Sequence, residues 1–415
     1  MNTFSLIFLG ALLLTTGAKM WLSWRHYRHI GANRNSVPGE FSHSITLDAH
    51  QKAADYSRAK TRINMIDLAI DALLLLLFTL GGGLRWLDGI ARNLAGDSLW
   101  HGVLLALGVV IVSGIINLPL SLYRTFGIEA RFGFNQMTVK IFVVDLLKQT
   151  VLGAVIGIPL ILAALWMMNS LGGYWWLYAW LGWMAFNVIL LAIFPTWIAP
   201  LFNKFSPLEN QDLKTRIELL LDKCGFRAQG LFVMDGSKRS SHGNAYFTGF
   251  GKTKRIVFFD TLLTRLSTEE IEAVLAHELG HFKRRHVIKR IALSFALSLI
   301  MLGVLGFLMK EEWFYQGLNA GQQSTGMALI LFFMVMPVFM FFLQPLSSFY
   351  SRKHEFEADQ YAAEQTSAEN LVTALVKLYK DNASTLTPDP LHSMIYDSHP
   401  PAAVRVANLR RMSHT

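Results

Sequence analysis

The chain has 415 residues, of which 52% are hydrophobic and only 16% charged. Soluble domains carry about 25% charged residues, so this deficit, with a positive mean hydropathy, excludes an ordinary soluble protein. The single cysteine, Cys224, excludes an intramolecular disulfide framework and any metal site made of cysteines alone. The net charge of +9 does not read as a nucleic-acid footprint, because Lys and Arg gather in particular loops, as membrane topology requires.

A spanning helix needs about 20 mostly apolar residues. In chain order, spans are predicted near residues 4–24, 66–84, 100–123, 150–168, 174–194, 287–308 and 327–349. The first has no Lys or Arg ahead of its apolar stretch, and Arg25 and Arg28 follow it. It therefore reads as a retained span and not a signal peptide. The first loop is crowded with Arg34, Lys52, Arg58, Lys60 and Arg62, whereas the second holds only Arg85 and Arg92. Basic and poor loops continue to alternate, which by the positive-inside rule puts the N-terminus outside or in the lumen and the C-terminus in the cytoplasm. The expected membrane is the inner membrane in a bacterium and the endoplasmic reticulum in a eukaryote.

The expected organisation is five spans in residues 1–198, a polar segment in 199–286, spans six and seven in 287–350, and a second polar segment in 351–415. The two polar segments flank a helical hairpin and can form one catalytic unit on the cytoplasmic side. In the first of them, the apolar β-prone stretches 244–247 and 255–260 are joined by the turn-prone TGFGKT and read as a hairpin. The basic pair Lys238–Arg239 reads as an attractor for a C-terminal carboxylate or as a solvated turn.

The sharpest signal is STEEIEAVLAHELGHFKRRH. Ser267 with Glu270 forms a capping box that opens a helix, and Ile271, Val274 and Leu275 give it an apolar stripe. His277 and His281, four residues apart, share a face, so both imidazoles can reach one ion. Glu278 lies beside them, placed to polarise a water instead of ligating. Zinc is the natural ion, since it accepts imidazole and carboxylate.

A catalytic zinc needs a third protein ligand. The metzincin position is Val287, and His286 falls one residue early. In SRKHEFEADQYAAEQ, Glu355 and Asp359 share a helix face. Glu355 can be the ligand with Asp359 orienting a histidine behind it. By spacing alone it can equally be a solvated acidic helix start balanced by Arg352 and Lys353. His354 is a weaker rival, and Glu357 points to another face.

These motifs, with GSKRSSHGNAYFTGF and KRIVFFDTLL ahead of them and SHPP after them, resemble the type I CAAX prenyl proteases, integral-membrane zinc peptidases of the a-factor-converting kind. FGIEARFGFNQ and IAPLFNKFSPL upstream extend the resemblance from about residue 126 to the C-terminus. It implies a mainly α integral membrane protein whose seven or so long helices enclose a chamber, with a zincin-like catalytic unit containing a small β-hairpin. It makes Glu355 the third ligand and Glu278 the general base. It adds His399 and Arg405 as residues facing the site, and Asn244, Ala245 and Tyr246 as the edge that holds substrate backbone.

The expected activity is endopeptidase cleavage of a peptide or protein, removing the last three residues of prenylated CAAX-type substrates, with one Zn2+ per chain and lipid around it. One alternative is a quality-control protease acting on unprenylated membrane polypeptides. Another is a non-enzymatic scaffold with structural zinc, against which Glu278 argues, because a structural site needs no base. Oligomeric state is not legible.

Overall fold

The computed structural model describes residues 2–248 and 255–413. Helix α1 (Thr3–Ala32) lies beside α2 (Leu47–Phe78), and α3 (Gly83–Ala95) follows α2 at a 57° bend. The second span expected over 66–84 is thus a broken one. A run of three glycines causes the break. Gly82 sits at φ +77, and a Cβ on Gly81 or Gly83 would come within 2.8 or 2.9 Å of the Leu77 carbonyl oxygen.

Next come α4 (Leu99–Leu122), which runs on through the wider turns of Tyr123–Glu129, then α5 (Val139–Ser170) and α6 (Trp175–Ile193). Among the described residues six helices are long and apolar enough to cross a membrane, or seven if the bent pair counts as one span.

Strand β1 (Phe205–Pro207), helix α7 (Gln211–Lys223) and strands β2 (Gly230–Met234), β3 (Ala245–Thr248) and β4 (Arg255–Phe259) follow. The expected hairpin is β3–β4, and most of its turn lies outside the described residues. It is part of a larger sheet of order β1-β2-β4-β3, in which β2 and β4 run parallel. β1 has three residues and β2 pairs across a crossover, so neither announces itself as a local alternating pattern.

The remaining helices are α8 (Asp260–Leu263), α9 (Thr268–Lys283), α10 (His286–Leu308), α11 (Glu312–Gly317), α12 (Thr325–Met340), α13 (Gln344–Gln365), α14 (Ala368–Asp381), α15 (Pro390–Tyr396) and α16 (Ala402–Ser413). Only a tight turn at Phe341–Leu343 separates α12 from α13, so the last span runs straight into the acidic segment. Thr46, Thr138 and Ser267 cap α2, α5 and α9 by accepting the N–H three residues on.

One hydrophobic core joins the two polar segments. Ile217, Phe258, Leu279, Leu371 and Val406, from α7, β4, α9, α14 and α16, are all buried in it. The membrane part is built differently. In the apolar windows of α4, α5 and α6 only 11%, 11% and 6% of residues are buried. These helices therefore meet along narrow seams and leave both flanks open, as chamber walls do. Small residues make the seams. A Cβ on Gly326 of α12 would lie 2.6 Å from the Cα of Gly102 on α4. Inside, a cavity of about 320 Å³ is lined by Lys19, Asp71 and Asn117. A second, of about 510 Å³, reaches from Asn117 to Asp145 and Arg239 beneath the catalytic unit.

Polar ties hold that unit to the walls. Arg239 grips both oxygens of Asp145 on α5 at 2.7 and 2.9 Å. Arg239 is thus held in a structural ion pair, while Lys238 is exposed. Glu129, just beyond α4, accepts a hydrogen bond from Tyr56 and lies 3.6 Å from His242 Nε2. His242 in turn precedes β3 by three residues.

Candidate metal centre

Helices α9 and α13 cross closely enough to build a site because of Gly280. A Cβ there would lie 2.9 Å from the Cα and 3.0 Å from the carbonyl oxygen of Ala358. The capping box starts α9 as the sequence suggests, with Ser267 N–H donating to Glu270 at 2.7 Å and Glu270 N–H to Ser267 Oγ at 3.3 Å.

From this crossing His277, His281 and Glu355 converge, with one ligand atom of each within 4.8 Å of the others. His277 Nε2 and His281 Nε2 are 3.3 Å apart. Glu355 Oε1 lies 3.3 Å from His281 Nε2, and Oε2 lies 3.5 Å from His277 Nε2. Two imidazoles and a carboxylate suit a catalytic zinc with an open position. Among the described residues the buried Glu355 Oε2 has no hydrogen-bond partner. A cation between these groups would satisfy it, so the donor set fits the metal.

Behind His277, Asp359 Oδ1 stands 2.8 Å from Nδ1. Asp359 is fully buried, and the guanidinium of Arg405, itself 5% exposed, holds both its oxygens. Burial works against charge on His277, but Asp359 and Glu355 outweigh it and push the imidazole up to about 9. Arg405 is likewise held above its ordinary value, the neighbouring Asp359 overcoming burial.

Glu278 is half-buried and adjoins His277, one of the three converging groups. His399 reaches in from the loop before α16. Its Nε2 lies 3.5 Å from Glu355 Oε1, yet the side chain is 61% exposed. Asn244, Ala245 and Tyr246 lie at or beside the start of β3, which is an edge of the sheet. Phe247, next on that strand, packs against Phe282 at 5.1 Å, so the edge runs along the histidine helix.

Two residues set aside on spacing turn out to be engaged here. His286 Nδ1 is 3.0 Å from His281 Nδ1, and His286 Nε2 is 2.9 Å from Glu357. The only sequence signal was His286 five residues past His281. His354, the rival ligand, stacks flat on His286 at 3.9 Å and is not one of the three converging groups.

Comparison with known proteins gives a consistent result. A family model described as CAAX prenyl protease N-terminal, five membrane helices, matches residues 26–204, and that of peptidase family M48 matches 207–413. The chain is 36% identical to a CAAX prenyl protease 1 homolog of Arabidopsis thaliana, over 87% of each chain. It is 33% identical to CAAX prenyl protease 1 of Saccharomyces cerevisiae, over 98% of this chain and 95% of that one. The homolog from Homo sapiens is 31% identical, over 98% and 96%. Among solved structures, that of S. mikatae Ste24p aligns with a TM-score of 0.92 at 31% identity, over 99% of both chains.

Proposed function

The chain belongs to peptidase family M48, with the CAAX prenyl protease membrane domain ahead of its peptidase domain, and from that premise we propose that it removes the C-terminal tripeptide of prenylated CAAX-type proteins at a zinc held by His277, His281 and Glu355. It is a multi-pass membrane metalloendopeptidase. The observation that carries the site assignment is the convergence of those three ligand atoms within 4.8 Å around a buried carboxylate oxygen that has no hydrogen-bond partner among the described residues.

When bound, zinc supplies Lewis acidity, lowering the pKa of water towards about 7 and polarising the scissile carbonyl. Glu278 takes the proton of the attacking water and returns it to the leaving amine. His399 donates from Nε2 to the carbonyl oxygen as negative charge develops there. Ser398 Oγ, 3.0 Å from Nδ1, suits that tautomer by donating to the other nitrogen. Asp359 keeps the His277 Nδ1 proton and so leaves Nε2 free to ligate. Arg405 acts through Asp359, neutralising a buried carboxylate.

Substrate lies along β3 as an added strand against Asn244, Ala245 and Tyr246, with the backbone of Ala245 turned to the free edge because the Asn244 carbonyl already accepts from Phe259 N–H. Support comes from β3 being a sheet edge and from its packing on Phe282, the residue after His281. By loop charge the N-terminus is outside, and the sheet, α9 and α16 are cytoplasmic.

Mass spectrometry of products from a farnesylated CAAX peptide and its unprenylated twin tests the substrate. Release of the tripeptide from the farnesylated peptide alone is expected. Equal cleavage of both overturns the prenyl requirement and favours a quality-control role.

A further inference from the structure

The two histidine ligands are supported in different ways. His277 Nδ1 faces the carboxylate of Asp359 directly, at 2.8 Å. His281 Nδ1 has another imidazole in that place, His286 Nδ1 at 3.0 Å. Two ring nitrogens this close share one proton, so one donates and the other accepts. The far side of His286 decides which. Its Nε2 lies 2.9 Å from Glu357 Oε2, and a carboxylate only accepts. His286 therefore carries its proton on Nε2 and presents a bare Nδ1. His281 must donate from Nδ1, which leaves the lone pair of its Nε2 aimed at Glu355 Oε1 and His277 Nε2, both 3.3 Å away.

We propose that Glu357 and His286 are positioning residues that fix His281 as an Nε2 metal ligand, doing through an imidazole what Asp359 does directly for His277. The inference rests on the metal reading above.

The fold makes the arrangement deliberately tight. Arg285, between α9 and α10, takes a left-handed φ of +57, uncommon for a residue with a side chain. That turn brings the first residue of α10 back under the histidine helix. His286 is 0% exposed and lies flat on His354 at 3.9 Å and 10°, which leaves its ring little freedom to rotate. Glu355 and Glu357, two apart on α13, point to different faces. The first meets His281 at Nε2 and the second reaches His286 beyond Nδ1. His286 is not a fourth ligand in this arrangement, because it faces the nitrogen of His281 that points away from the converging group.

The test is zinc affinity of the purified full-length protein, measured by titration against a chromophoric chelator, with the absorption spectrum of the Co2+-loaded protein as a second readout. His286→Phe and Glu357→Ala should each weaken zinc by about 10- to 100-fold and alter the Co2+ spectrum. Glu357→Gln keeps an acceptor for the His286 N–H and should stay close to wild type. Glu357 is 30% exposed at its side chain, so its variants decide the matter if His286→Phe fails to fold. Unchanged zinc affinity in Glu357→Ala and in any folded His286→Phe, with wild type binding one zinc that His277→Ala abolishes, overturns this inference alone. A wild-type chain that takes up no zinc overturns the metal reading and this inference with it.

Discussion

Arg405 shows how much of this site is set by a single buried side chain. Its planar fork covers both oxygens of Asp359, and both groups are almost wholly out of solvent. Arg405→Ala leaves a buried carboxylate without its cation, an expected loss of about 3–5 kcal/mol, read as a large drop in thermal midpoint and weaker zinc retention. Arg405→Lys should rescue poorly, since an ammonium cannot make the paired contacts. His277 gives a pH prediction at the same scale. Its metal-free imidazole is raised from 6.5 to about 9, so the proton stabilises the metal-free fold fully below 6.5 and this contribution is lost as pH rises through 9. Zinc must displace that proton. Affinity should therefore climb from pH 6.5 to about 9 and then flatten, whereas a flat titration from pH 6.5 upward contradicts the assignment.

Between elements, the decisive contact is the crossing of α9 and α13 at Gly280. Gly280→Ala would press a methyl onto backbone atoms of Ala358 at 2.9 and 3.0 Å, which cannot swing aside as a flexible side chain would. A cost of about 1–3 kcal/mol is expected, with weaker zinc binding because the helices that carry the ligands must separate. Normal zinc affinity and thermal midpoint in that variant would contradict this packing account. Helix α9 was readable from local signals, because its cap, stripe and histidine spacing all sit within one stretch. The sheet was only half readable. The strands β3 and β4 are neighbours in sequence, but β2 finds β4 across a crossover and β1 is three residues long. The break after α2 was hidden in an apolar run whose glycines only the packed backbone explains. His286 and Glu357 were passed over for a related reason. Spacing places residues on faces of one helix, and it does not see a chain that reverses at Arg285.

At the scale of the whole molecule, walls with open flanks carry a compact peptidase unit assembled from both sides of a transmembrane hairpin. Charged groups inside the membrane part, Lys19 and Asp71, line the inner cavity, where water and not lipid is the compatible medium. Because the proposed ligands come from both segments of the peptidase unit, metal binding should tie them together. Chelation is expected to lower the thermal midpoint of the whole chain, with zinc restoring it. The account's central claim is that this chain hydrolyses peptide bonds with Glu278 as the base beside a His277–His281–Glu355 metal. The most direct test pairs metal content with turnover in Glu278→Gln. The account predicts one zinc per chain and peptide cleavage reduced by about 100-fold or more. A metal-loaded Glu278→Gln protein that cleaves at the wild-type rate would contradict it.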